Sequence, residues 1–179
     1  MSAMKQMSGV LMVLACAVIA VAEEPMAPQP TAEHKALAAW VGSWAGQGEI
    51  KAGAFGPGGA MTWTEECSWF EGSEFHVVCR SEGTSPMGPE KSLGITGYNV
   101  EKRVYTHFMV EDTGWAAYAE GTKTGDTWTF LSEETIGGKT YQTRYAMTLV
   151  TPEKMTFSWE MSEDGTSWVL VMDGTTEKK

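Results

Sequence analysis

Histidine is scarce in this chain. Three occur in 179 residues, at positions 34, 76 and 107. No two are spaced as H-x-H or H-x-x-x-H, the patterns that set two imidazoles on one face around a metal ion. The expectation for His34, His76 and His107 is therefore exposed polar residues and no metal. No G-x-S-x-G string occurs, which leaves no nucleophile elbow. The glycine-rich "GAFGPGG" (53–59) runs into a strand pattern rather than a helix, so the backbone donors of a phosphate cradle are absent. Basic residues are also few. Thirteen Lys and Arg face 23 Asp and Glu, for a net charge of −10. That balance argues against nucleic acid and anionic membrane as partners, because phosphate contacts need cations. The longest apolar run, Val10 to Ala22, has 13 residues, too few to cross a bilayer as a helix.

That run has a different meaning at the N-terminus. Lys5 precedes it and Ala20-Val21-Ala22 closes it, as in a secretory signal cleaved before Glu23. Val13-Leu14-Ala15-Cys16 loosely fits a lipid-attachment site, but six apolar residues follow Cys16, where a lipoprotein turns polar. A signal over residues 1–22 implies a secreted or periplasmic protein of 157 residues, enough for one domain. Lys5 is the one charge removed, so the net charge moves to −11. Cys67 and Cys79 survive, and an even count in an oxidising compartment predicts a disulfide.

Residues 23–30, "EEPMAPQP", read as a disordered lead, and residues 31–176 as one domain. "TAEHKALAAWVG" reads as a short helix. Thr31 caps it, Glu33 lies in its first turn, Gly42 ends it, and Leu37, Trp40 and Val41 share one face. Beyond Gly42 the chain shows strands separated by nine turn signals about ten residues apart, from "FGPGG" (55–59) and "EGSE" (71–74) to "EDGT" (163–166). Ten short strands at that spacing predict an all-β sandwich or barrel.

Tight hairpins fix register, and register chooses between the two. Two-residue loops at Thr113-Gly114, Thr124-Gly125, Gly137-Gly138 and Asp164-Gly165 set Phe108 against Ala119, Ala119 against Phe130, Phe130 against Tyr145, Tyr145 against Met161 and Met161 against Trp168. One apolar face then runs across six strands: Phe108, Val110, Ala117, Ala119, Trp128, Phe130, Tyr145, Met147, Leu149, Phe157, Trp159, Met161, Trp168, Leu170 and Met172. His107, Glu120, Thr129, Arg144, Glu160 and Ser162 take the other. An antiparallel meander with one dry face removes its edges by closing, so the expectation is a ten-stranded up-and-down barrel with the helix over one end. At "EGSE", a three-residue loop Gly72–Glu74 makes Cys67 and Cys79 direct partners and aligns Trp69 with Val77 and Glu66 with Arg80. Glu65, Glu66 and Glu160 lie within strands and read as members of surface ion pairs.

Gly42-Ser43-Trp44, after a short helix and opening the first strand, resembles the G-x-W signature of lipocalin-like (calycin) barrels, whose Trp closes the barrel floor. "CSWFEG", "VVCRSEGTSPMGP", "LGITGYN", "GDTWTF", "GGKTYQTRY" and "FSWEMSEDGTSW" resemble a bacterial family of small secreted lipocalin-like proteins of unknown function, over roughly residues 34–174. The resemblance implies a buried Trp44 and no known activity. "GSWAGQGE" is also similar to the opening strand of nitrobindin-type haem barrels. Those hold iron through a late histidine, and none follows His107 here, so no cofactor is expected.

Ten strands leave room for a guest where eight only just fill with side chains. The functional expectation is a non-enzymatic barrel binding a small apolar or amphipathic molecule against Trp128, Tyr145, Met147, Trp159 and Met161. The alternatives are a structural protein with a filled barrel and an enzyme using the cavity. Weak affinity is expected, because the register places no charge inside.

Overall fold

A computed structural model of the protein describes residues 27–53 and 56–179. The expected signal segment, residues 1–22, and the start of the expected lead lie outside the described residues. Residues 27–30 carry no regular secondary structure. A short α-helix, α1 (Ala32–Ala36), continues as a 3-10 turn, Leu37–Trp40. At its start the Thr31 N–H donates to His34 Nδ1 at 3.1 Å. Because His34 serves this cap, and packs edge-on against Phe75 and Tyr98, it is buried and not exposed as expected.

Ten antiparallel strands follow: β1 (Gly42–Ile50), β2 (Gly59–Trp69), β3 (His76–Ser85), β4 (Gly88–Asn99), β5 (Val104–Glu111), β6 (Ala116–Thr124), β7 (Thr127–Ile136), β8 (Lys139–Thr151), β9 (Lys154–Ser162) and β10 (Val169–Lys178). Each pairs with its sequence neighbours, and β1 pairs with β10 to close the barrel. Closure leaves no strand edge unpaired. The expected fold is the observed one.

The helix covers one end. Leu37, Trp44, Val77, Tyr105, Trp128 and Met155 pack there with little or no exposure. Trp44 Nε1 donates to the Trp40 carbonyl at 2.8 Å, which satisfies the buried indole. Gly42 sits at φ +137°, and the Lys178 side chain lies 3.1 Å from where a β-carbon would be. That lets Lys178 Nζ reach 5.0 Å from the Trp44 ring centroid.

The register agrees with expectation in places and departs in others. Cys67 pairs with Cys79, Trp69 with Val77 and Glu66 with Arg80, although the connection runs from Phe70 to Phe75. Phe130 pairs with Tyr145 and Trp128 with Met147, as expected. Between β6 and β7, and between β8 and β9, the pairing is displaced by two residues, which preserves the faces. Between β5 and β6 it is displaced by one: His107, not Phe108, lies opposite Ala119. The loop there has three residues, Asp112 to Gly114, with Gly114 at φ +90° and Glu111 N–H bonded to the Trp115 carbonyl. A three-residue loop with glycine in the left-handed position is the next hairpin type after the two-residue one, and a one-residue slip turns a strand over. Phe108 and Val110 therefore face outward, and His107 faces inward. In β10 a bulge between Leu170 and Met172 has the same effect. Trp168 and Leu170 lie outside, where Trp168 stacks under Arg144. Met172 stays inside, opposite Trp159.

Candidate functional site

The interior divides into a filled floor and a looser upper half. Residues that share the Trp44 face at the helix end are almost fully buried. Toward the other end, the inward-facing Trp63, Glu65, His107, Met109, Tyr145, Phe157, Trp159 and Met172 are only half-buried. They point into the barrel yet keep accessible surface, so the space between them is not filled by side chains. The rim of this end is formed by residues 51–53 and 56–58, the 86–87 turn, and the loops 112–115, 137–138 and 163–168. A concavity of about 390 Å³ opens there, lined in part by Tyr141, Met161, Asp164 and Lys51. A second, about 400 Å³, lies between β3, β4 and β5 beside Ser81, Ser92 and Glu111.

A continuous aromatic wall climbs from the floor. Trp40 meets Trp128 edge-on at 5.8 Å and Phe130 at 6.4 Å. Phe130 and His107 lie 5.4 Å apart, and the His107 ring stacks on Tyr145 at 6.0 Å. Tyr145 leads to Phe157 at 6.2 Å, and Phe157 to Trp63 at 5.4 Å. The bulky Trp63 indole fits because its neighbour on β1 is Gly46: a methyl group there would overlap the ring.

Of the five expected wall residues, all face inward, but at different depths. Trp128 is in the floor, 1% exposed, with Lys123 Nζ 4.7 Å from its ring centroid. Met147 and Met161 are buried. Tyr145 and Trp159 retain accessible surface toward the upper interior.

Titratable groups are present inside, contrary to expectation. Thr96 and His107 are cross-strand partners, and Thr96 Oγ1 lies 2.9 Å from His107 Nδ1. Burial holds the imidazole down to about 4, so it is neutral at pH 7. Tyr145 is displaced far above the usual phenol range, first by burial and second by the charge of Glu65. Glu65 pairs in register with Trp44 on one side and Ser81 on the other, so it shares the inner face and belongs to no surface ion pair. Burial pushes its carboxyl up to about 7. Among the described residues it accepts no hydrogen bond and has no salt-bridge partner. Glu90, Glu111 and Glu134 also share the inner face, through Gly83, Ser92 and Tyr141. Glu134 Oε1 accepts from Ser132 and from Thr143. Glu90 is raised by burial, then by Glu111 and Asp112. A strict two-residue alternation from Trp63 and Trp69 would have placed Glu65 inside; the run of Glu65 and Glu66 obscured which carboxylate faces which way.

Cys67 and Cys79 form a disulfide beneath Glu65. A Glu65 carboxylate oxygen and the two sulfurs lie within 4.8 Å of one another, a spacing suited to a metal. Sulfurs joined to each other are not thiolate donors, so the oxidised protein has no such site. Outside, Arg144 Nε donates to Glu160 Oε2 at 2.7 Å as direct register partners. Glu66 accepts from Ser43. His76 is exposed, as expected.

A family profile described as "Protein of unknown function (DUF1579)" matches residues 29–178, so the chain belongs to that family. No curated protein matches its sequence. Several solved structures share the fold, among them the following two. Rv2717c from M. tuberculosis aligns with a TM-score of 0.57 at 12% identity, over 84% of this chain and 99% of its own. The S-type phycobiliprotein lyase CPES from Guillardia theta aligns at 0.56 and 15% identity, over 82% and 92%. At such identities the likeness is one of fold alone.

Proposed function

We propose that this member of the family binds a small amphipathic molecule in the upper half of the barrel, without transforming it, and does so outside the cytoplasm. The signal segment read in residues 1–22 motivates the location. One observation carries the binding: above a tightly packed floor, large rings from four strands line the interior with their faces half-accessible rather than interlocked. Flat apolar walls with a few polar groups are the usual make-up of a small-molecule pocket. Gly42-Ser43-Trp44, with Trp44 in the floor under Lys178, supports placing the barrel among the lipocalin-like folds. The filled-barrel alternative suits the floor but not the upper half.

A second reading, catalysis in the same space, is favoured by the displacement of Glu65, His107 and Tyr145 toward their neutral forms within one interior. Native mass spectrometry of the protein from its own source separates the readings. Binding predicts a retained small molecule that is recovered chemically unchanged after incubation. Conversion of that molecule would favour the enzyme. No adduct, with tryptophan emission indifferent to added amphiphiles, would leave the structural alternative standing.

A further inference from the structure

The binding reading leaves the chemistry of the guest open, and the charges inside the barrel narrow it. Four carboxylates share the inner face: Glu65 deep, beside the Trp44 floor, and Glu90, Glu111 and Glu134 nearer the rim. The basic residues that could neutralise them are engaged elsewhere. Lys123 and Lys178 lie over Trp128 and Trp44 at the closed end. At the open end Lys51 is held by Glu49 and Asp173, Lys91 by Glu82, and Lys139 by Glu163. Glu65 stands apart from the other three. It is half-buried on the inner face between Trp44 and Ser81, and has neither a hydrogen bond nor an ion pair among the described residues. An enclosed carboxylate without a partner is costly in its charged form unless something brings it a cation or a donor. Nothing among the described residues does so.

On the reading that the barrel binds a small molecule, we propose that the guest is an amphipathic organic cation, a protonated amine on an aromatic or aliphatic body, with its ammonium on Glu65 and its body along Trp63, Tyr145 and Phe157. The geometry suits each part. Glu65 lies opposite Trp44, next to the floor, so the head enters first. Rings on the same wall offer their faces to a cation and to a flat or flexible body. Glu90 and Glu111 near the rim, in a chain of net charge −10, draw cations toward the mouth and repel carboxylates. Fatty acids are disfavoured by the same charges. The groups that face Glu65 are Trp44 and Ser81 on the neighbouring strands, the Cys67–Cys79 disulfide and Tyr145. None is cationic.

The test keeps the body constant and changes the head. 1-Naphthylmethylamine, 1-naphthylmethanol and 1-naphthoate, and the corresponding decyl amine, alcohol and carboxylate below their micelle concentrations, are titrated calorimetrically at pH 8 into the disulfide-intact protein and into Glu65→Gln. The expected result is at least tenfold tighter binding of each amine than of its alcohol, and weaker binding still of each carboxylate. In Glu65→Gln the amine preference falls to within about threefold, with the alcohols unchanged. Alcohols or carboxylates binding as tightly as amines, or a preference that survives in Glu65→Gln, would overturn the cation assignment and leave the binding reading intact. No heat with any of the six would overturn both.

Discussion

Replacing Glu65 by Gln should make the protein more stable, by a margin that grows as pH rises from about 4.3 and levels off above about 7. The carboxyl is held at about 7 in the folded chain, against about 4.3 for an unperturbed glutamate. Between those values the folded state binds a proton that the unfolded state has lost. By linkage, the stability the neutral carboxyl preserves is fully present below about pH 4.3 and is lost as pH rises through 7. A displacement of that size corresponds to ~4 kcal/mol at 1.36 kcal/mol per unit. The side chain keeps some accessible surface, and solvent in the upper barrel lowers the penalty, so ~1–3 kcal/mol is the working figure. Glutamine has the same shape and no charge to bury. The assay is urea denaturation of both proteins at pH 4.5 and pH 8, with the disulfide intact and no ligand present. His107, which works in the opposite direction, is lost as a stabilising factor when pH falls from about 6.5 toward 4. It is common to both proteins and cancels in their difference. Wild type and Glu65→Gln should be alike at pH 4.5, and the variant should be more stable by ~1–3 kcal/mol at pH 8. Equal stability at both pH values, or a loss in the variant that does not vary with pH, would refute the picture of a desolvated, unpartnered carboxylate.

Two further outcomes test the frame around it. Trp44→Ala removes a floor residue that is 2% exposed and bonded to the Trp40 carbonyl; thermal or urea unfolding should show a loss of ~3–5 kcal/mol, in line with other large aromatic truncations. Opening the Cys67–Cys79 bridge, which spans a sequence separation of 12, with a Cys67→Ser/Cys79→Ser double variant should cost ~2–3 kcal/mol, and non-reduced peptide mapping of the natural protein should find no free thiol at either position.

Much of the architecture follows from local sequence. Turn residues at intervals of about ten, alternating apolar positions and a single amphipathic helix before Gly42 are enough for a ten-stranded closed meander, because each feature acts over one hairpin and neighbours in sequence become neighbours in space. The Cys67–Cys79 pairing was legible for the same reason: Trp69 with Val77 and Glu66 with Arg80 made sense in only one register of that hairpin. The chemistry of the interior was not. It depended on whether the loop after Glu111 holds two residues or three and on one extra residue near Val171, differences of a single position that local propensity barely distinguishes. Each exchanges the two faces of a strand. They placed His107 inside and sent Phe108, Trp168 and Leu170 out. Glu65 differs from Glu66 in sequence only by its place in the alternation with Trp63 and Trp69, which two adjacent carboxylates obscure. Closure of the barrel alone put one of these carboxylates against Ser43 in solvent and the other on the inner face beside a wall of rings, with no ion-pair partner among the described residues.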